Sequence, residues 1–118
     1  MANMHIDLDH TLMALADPTR RAILQTLSAG EARVTELARP FAMSLNAVSK
    51  HIRVLERANL VRRRVSGRQH LCRLRAAPLK EAALWTEQFR RNWEARFQAL
   101  DSLLDEMKNE ESARTRGH

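Results

Sequence analysis

Cys72 is the only cysteine in 118 residues, so no disulfide can form within the chain and a reducing compartment is the expected setting. No stretch approaches 18 consecutive apolar residues, the length a membrane-spanning helix needs. The opening residues, Met1-Ala2-Asn3-Met4-His5-Ile6-Asp7, lack a basic segment followed by an apolar run, the mark of an export signal. A cytoplasmic protein with no membrane partner is therefore expected. Catalytic arrangements are missing too. There is no Gly-rich phosphate loop and no cluster of carboxylates, and Ser49 and His51, two residues apart on a helix, point to different sides and cannot act as a nucleophile–base pair. These absences argue against an enzyme and imply no cofactor. Lysine is scarce as well, with only Lys50, Lys80 and Lys108 beside 17 arginines.

What is present is positive charge, unevenly placed. The chain carries +6 at neutral pH with a pI near 10.9, a balance suited to a polyanion. From Lys50 to Arg75 there are nine basic residues and one acid (Glu56), whereas Leu79 to Glu111 holds five basic residues and eight acids. Arginine's planar fork can hold a phosphate or a guanine edge through two donors at once. The composition, 44% hydrophobic and 29% charged, is that of a globular protein, and the length fits one domain over residues 1–118.

Apolar spacing organises the chain into about five helices and a hairpin. Leu8, Leu12 and Leu15 define a first helix over about 5–16. Asp17-Pro18 restarts the chain as N-cap and first position of a second helix, with Ile23, Leu24 and Leu27 inward and Gly30 ending it. A short third helix is expected from Val34 to Phe41, stopped by Pro40, and Ser44 caps a fourth running to about Ala58. Residues 60–75 read as two strands around Ser66-Gly67, with Val61, Val65, Leu71 and Leu74 as their apolar positions. Pro78 opens a last helix to about Met107, and Glu110 to His118 is polar and expected to fray.

The fourth helix is the most informative stretch. Leu45, Val48, Ile52 and Leu55 form a narrow apolar face, while Asn46, Ser49, Lys50, Arg53 and Arg57 form a polar face without an acid. A short helix, a turn and a second helix so divided make a helix-turn-helix candidate, whose second helix enters the major groove of duplex DNA. Asn46 suits adenine, and Lys50 or Arg53 suits guanine. Arg57 and the hairpin arginines, Arg62, Arg64 and Arg68 among them, suit phosphates or an adjacent minor groove. Two other readings stay open: a helical dimer whose basic hairpin docks an acidic protein, and sequence-independent DNA packing.

The last helix carries Trp85, Phe89, Trp93, Phe97, Leu100, Leu104 and Met107 along one stripe, close to a heptad seam in its later part. At about 1.5 Å per residue such a helix outruns a small domain, so its seam is expected to meet a second copy. The expected dimer interface combines Leu8 and Leu12 with Trp85, Phe89, Trp93, Phe97, Leu100 and Leu104.

The motifs Ala16-Asp17-Pro18-Thr19-Arg20-Arg21-Ala22-Ile23-Leu24 and Ser44 to Leu55, with its Ala47-Val48-Ser49-Lys50-His51 centre, resemble the ArsR/SmtB family of bacterial repressors. Leu60-Val61 to Arg64 and Gly67-Arg68-Gln69-His70 look like that family's wing. The resemblance runs from Leu12 to Glu106. It implies a mainly α winged helix-turn-helix fold with a two-stranded wing, a homodimer built from the first and last helices, and repression at an imperfect inverted repeat. On this reading Ser44, Asn46, Ala47, Ser49, Lys50, His51, Arg53, Arg57, Arg62, Arg64, Arg68 and Gln69 face DNA.

Many members sense metals through a Cys-Val-Cys stretch at the start of the third helix. The matching stretch, Glu31 to Leu37, has Arg33 and Thr35 in those places, and arginine is no ligand. The family's second metal site uses Asp and His pairs on the last helix, which has no histidine before His118. No metal site is expected, the resemblance leaves the effector open, and Cys72 reads as a small buried hydrophobe.

Overall fold

A computed structural model describes residues 3–116. The elements run α1 (Asn3–Leu15), α2 (Pro18–Leu27), β1 (Ala32–Arg33), α3 (Val34–Ala38), α4 (Leu45–Arg57), β2 (Val61–Ser66), β3 (Gln69–Leu74) and α5 (Ala77–Arg116). The chain divides into two compact units, one through Ala83 and the other from Leu84 onward.

In the first unit, local chemistry fixes the helix ends. Asp17 accepts a hydrogen bond from the Arg20 backbone N–H at 3.0 Å, and Pro18 occupies the first helical position, where no donor is required of it. The following arginines close the preceding helix. Arg20 donates to the carbonyls of Met13 and Ala14, and Arg21 to that of Leu15, satisfying oxygens that α1 leaves open at its C-terminus. At the far end of α4 the chain turns through Asn59 at φ +60°. The Asn59 N–H reaches Glu56 O at 3.0 Å and the Leu60 N–H reaches Leu55 O at 2.9 Å, the bond pair of a Schellman cap. Leu55 and Leu60, both fully buried, pack on either side of it.

The core gathers Ile23, Leu24 and Leu27 of α2, Val34 and Leu37 of α3, Val48, Ile52 and Leu55 of α4, and Val61 and Cys72 of the sheet. Leu45 departs from the expected apolar face. As the first residue of α4 it lies at the edge of the packed layer and stays 51% exposed.

The expected two-stranded wing is part of a three-stranded antiparallel sheet ordered β1-β3-β2. The added strand has two residues, with Ala32 opposite Cys72 and Arg33 opposite Leu71. Two residues carry too little alternation to mark a strand. The turn is Gly67-Arg68, one position later than expected, because Ser66 pairs with Gln69. Gly67 has φ +61°, which suits the first central position of a two-residue hairpin turn. The third helix stops at Ala38 rather than reaching Phe41, and Phe41 packs against the core from the loop.

The second unit consists of the rest of α5. This helix has 40 residues, and its path through Glu110 to Arg116 corrects the fraying expected there, while residues 117 and 118 of that expectation lie outside the described residues.

Candidate nucleic-acid interface

α4 divides cleanly across its axis. Val48, Ile52 and Leu55 have no exposed surface, while Asn46, Lys50, Arg53 and Arg57 are exposed and Ala47 and Ser49 are half-buried beside them. Ser44 accepts a hydrogen bond from the Ala47 N–H at 3.1 Å, so its oxygen fixes the start of the helix. α3 precedes α4 and packs on it, as the first helix of a helix-turn-helix does.

His51 sits apart from this exposed row. It is half-buried, with Nδ1 3.2 Å from Arg20 Nη1 and 3.8 Å from Asp17 Oδ2. The ring faces the start of α2, and the Arg20 contact calls for an unprotonated Nδ1. Asp17 is held below the usual carboxylate range, first by the Arg20 N–H and then by the charge of Arg20, with burial opposing them.

The wing sorts its arginines by register. Arg62 lies directly opposite Arg73, and both are exposed. Like charges facing across a ladder destabilise it, so this pair costs the hairpin stability in the absence of an anion. Arg64 is exposed but reaches Glu31 Oε1 at 2.7 Å. Arg63 points the other way, is half-buried, and donates to Glu56 Oε1 at 2.8 Å from α4. Arg68 in the turn and Gln69 beside it are exposed.

Among the described residues, then, Arg33, Arg63, Arg64, Arg90 and Arg91 hold carboxylates, whereas Lys50, Arg53, Arg57, Arg62, Arg68 and Arg73 have no acid partner. Cations without an acid partner occur elsewhere too, Arg21, Arg39 and Arg96 among them, but on α4 and the wing they follow one another from Lys50 to Arg73 in a stretch whose single acid is Glu56. Sequence reasoning passed over Arg73 as a site residue; pairing the strands around Gly67-Arg68 places it opposite Arg62. It also missed Arg20, whose contacts with α1 and α4 depend on packing between elements.

Cys72 is fully buried, and burial raises its thiol above the usual value, which keeps it protonated. Arg33 donates from Nε to Glu36 Oε1 at 2.6 Å, so a guanidinium–carboxylate pair sits at the start of α3. Among the described residues no three His, Cys, Asp or Glu side chains converge as metal ligands would.

On the second unit, Trp85, Phe89, Trp93, Phe97, Leu100, Leu104 and Met107 are 40–56% exposed. Trp85 and Phe89 meet edge to face at 4.7 Å, and Trp93 and Phe97 stack at 5.7 Å. In the first unit Leu8 is half-buried and Leu12 is 37% exposed. No helix among the described residues is long and apolar enough to cross a membrane.

Residues 15–64 match a family model described as a helix-turn-helix domain. The chain is 40% identical over 97 residues to the HTH-type transcriptional regulator Rv2034 of Mycobacterium tuberculosis, covering 82% of this chain and 88% of that protein. A crystal structure of an ArsR family transcriptional regulator, RHA00566, superposes with a TM-score of 0.70 at 41% identity, over 75% of this chain and 91% of that one. The solution structure of the homodimeric winged helix-turn-helix domain Mb0332 of Mycobacterium bovis, a possible ArsR-family regulator, matches with a TM-score of 0.62 at 25% identity, covering 80% and 88% of the two chains. These relatives are regulators, not enzymes.

Proposed function

The chain belongs to the ArsR family of winged helix-turn-helix transcriptional regulators, and on that premise we propose that it represses transcription as a homodimer on an inverted-repeat operator, without a metal signal. The carrying observation is the run of unpaired cations on α4 and the wing: among the described residues Lys50, Arg53, Arg57, Arg62, Arg68 and Arg73 lack carboxylate partners, and the sequence from Lys50 to Arg75 holds a single acid, Glu56, which Arg63 takes up. A face that needed only solubility could take acids as readily as bases, and this one has none beside its six cations.

In this reading α4 lies in the major groove with its N-terminal half toward the bases. Asn46 reads adenine, and Lys50 and Arg53 read guanine, with Ala47 and Ser49 close to the base edges. Ser44 holds the start of the helix in register. Arg57, Arg62, Arg64, Arg68 and Gln69 meet phosphates or the neighbouring minor groove, and Arg64 exchanges Glu31 for phosphate. His51 orients the helix from behind through Arg20. Repression follows from occupying a promoter in the cytoplasm.

The homodimer is supported by the exposed Trp85–Met107 stripe, by Leu8 and Leu12 on α1, and by the homodimeric Mb0332 domain. A dimer with two reading helices calls for two symmetric half-sites, about 10–10.5 base pairs apart or a multiple of that. The absence of a metal signal rests on Arg33 and Thr35, which stand where thiolates would be needed. Selection from a random duplex pool should enrich an inverted repeat, with an affinity that stoichiometric zinc leaves unchanged. An enriched site without symmetry, or no enrichment, would contradict the reading.

A further inference from the structure

A cleft of about 380 Å³ opens among β1, the first turn of α3, the N-terminal half of α4 and the tip of the hairpin. Its volume lies at the small end of the range for clefts that bury organic ligands, about 300–1,000 Å³, and an inorganic ion would leave most of it empty.

Its charge is specific. Arg33, Arg63 and Arg68 line it, and no lining residue is acidic. Arg33 and Arg63 are neutralised from outside the lining, by Glu36 and Glu56. Arg68 has no acid partner among the described residues, so the cleft keeps one uncompensated cation. Arg63 also has a buried Nε with no hydrogen-bond partner, a donor for which the folded chain supplies no acceptor. Beside these stand the hydroxyls of Thr35 and Ser49 and an apolar wall that includes the half-exposed Leu45. One net cation, spare donors and an apolar wall together call for a monoanion with an apolar body.

We propose that this cleft binds a small organic monocarboxylate, anchored by Arg68 and Arg63 with its apolar body against Leu45, and that the bound ligand releases the protein from DNA. The second half rests on the function proposed above, because Ser49, Arg68 and Gln69 line the cleft and also belong to the DNA-facing set. A ligand there takes up donors that a duplex needs.

The test uses the full chain without DNA, followed by amide spectra during titration with benzoate, its neutral counterpart benzyl alcohol, and inorganic phosphate. Benzoate should shift the signals of residues 33–35, 49 and 68–70 saturably, and benzyl alcohol should not. Arg68→Ala should weaken benzoate binding about tenfold, the worth of one charge-assisted hydrogen bond, while Arg96→Ala on the second unit leaves it unchanged. Benzoate should then displace duplex DNA from the wild type more effectively than from Arg68→Ala.

Absent shifts, equal shifts with benzyl alcohol, or indifference to Arg68→Ala would overturn the site. Saturation by phosphate but not by benzoate would overturn it in favour of a seat for the DNA backbone. If benzoate binds as stated but no duplex does, the site stands and the DNA reading falls.

Discussion

Arg20 and His51 join the start of α2 to the middle of α4, with Nη1 and Nδ1 3.2 Å apart. The same guanidinium holds the Ala14 carbonyl at 2.7 Å and the Met13 carbonyl at 3.0 Å. One side chain therefore ties the end of α1 to the helix carrying the exposed cations. Lysine has the charge but not the fork that reaches three acceptors. Arg20→Lys should cost about 1.5–3 kcal/mol in urea denaturation, the range for hydrogen bonds to a charged group. Unchanged stability would show that charge alone matters there.

Asp17 gives the fold an acid-sensitive contact. Its charged form caps α2, so its folded-state pKa lies below the unfolded value and the unfolded chain binds the proton more readily. Its contribution is present above about pH 4, the ordinary aspartate value, and is lost as pH falls through the folded value. Asp17→Asn keeps a capping oxygen but removes the titration. The stability difference between wild type and variant should therefore shrink as denaturation is repeated from pH 7 toward pH 3. A constant difference would mean that the cap draws nothing from its charge.

Leu55 and Leu45 lie on the same helix and differ in consequence. Leu55 has no exposed surface, and Leu55→Ala should cost about 2–5 kcal/mol. Leu45 is 51% exposed, and Leu45→Ala should cost well under half of that. Comparable losses would place Leu45 in the core after all.

This pair marks what the sequence makes legible. Periodicity places Val48, Ile52 and Leu55 inward because their partners lie all around them, but it cannot tell that Leu45, at the helix end, runs past the packed layer. The caps at Asp17 and Ser44 are local chemistry and can be read directly. β1 is hidden because two residues have no period, and its pairing to β3 is set by tertiary contact. The Gly67-Arg68 turn slips by one because Ser66-Gly67 is an equally good turn pair by residue type. Residues 110–116 look like a frayed end because they carry no apolar stripe, yet they continue α5. At the site, the exposed cations on α4 are evident from spacing. The ties of Arg64 to Glu31 and of His51 to Arg20 are not, since each joins residues about thirty apart in sequence.

The Trp85–Met107 stripe on the second unit carries the proposed dimer. Changing Leu100 and Leu104 to Asp would place two charges in an apolar contact. Light scattering should give a dimer mass for the wild type and a monomer mass for the double variant, with helix content in the circular dichroism spectrum reporting whether the variant is folded. A wild-type monomer at micromolar concentration would rule the dimer out.

If α4 reads bases and the wing holds phosphates, variants of the two elements must differ in what they lose. Fluorescence anisotropy on the selected operator and on a scrambled duplex, at several salt concentrations, separates base reading from phosphate binding. Arg53→Ala should lose about 1–3 kcal/mol on the operator and much less on the scrambled duplex. Arg68→Ala should weaken both similarly and flatten the slope of log K against log salt by about 0.9 for each phosphate that is no longer neutralised. Equal losses on both duplexes for Arg53→Ala would mean that α4 is not the reading helix.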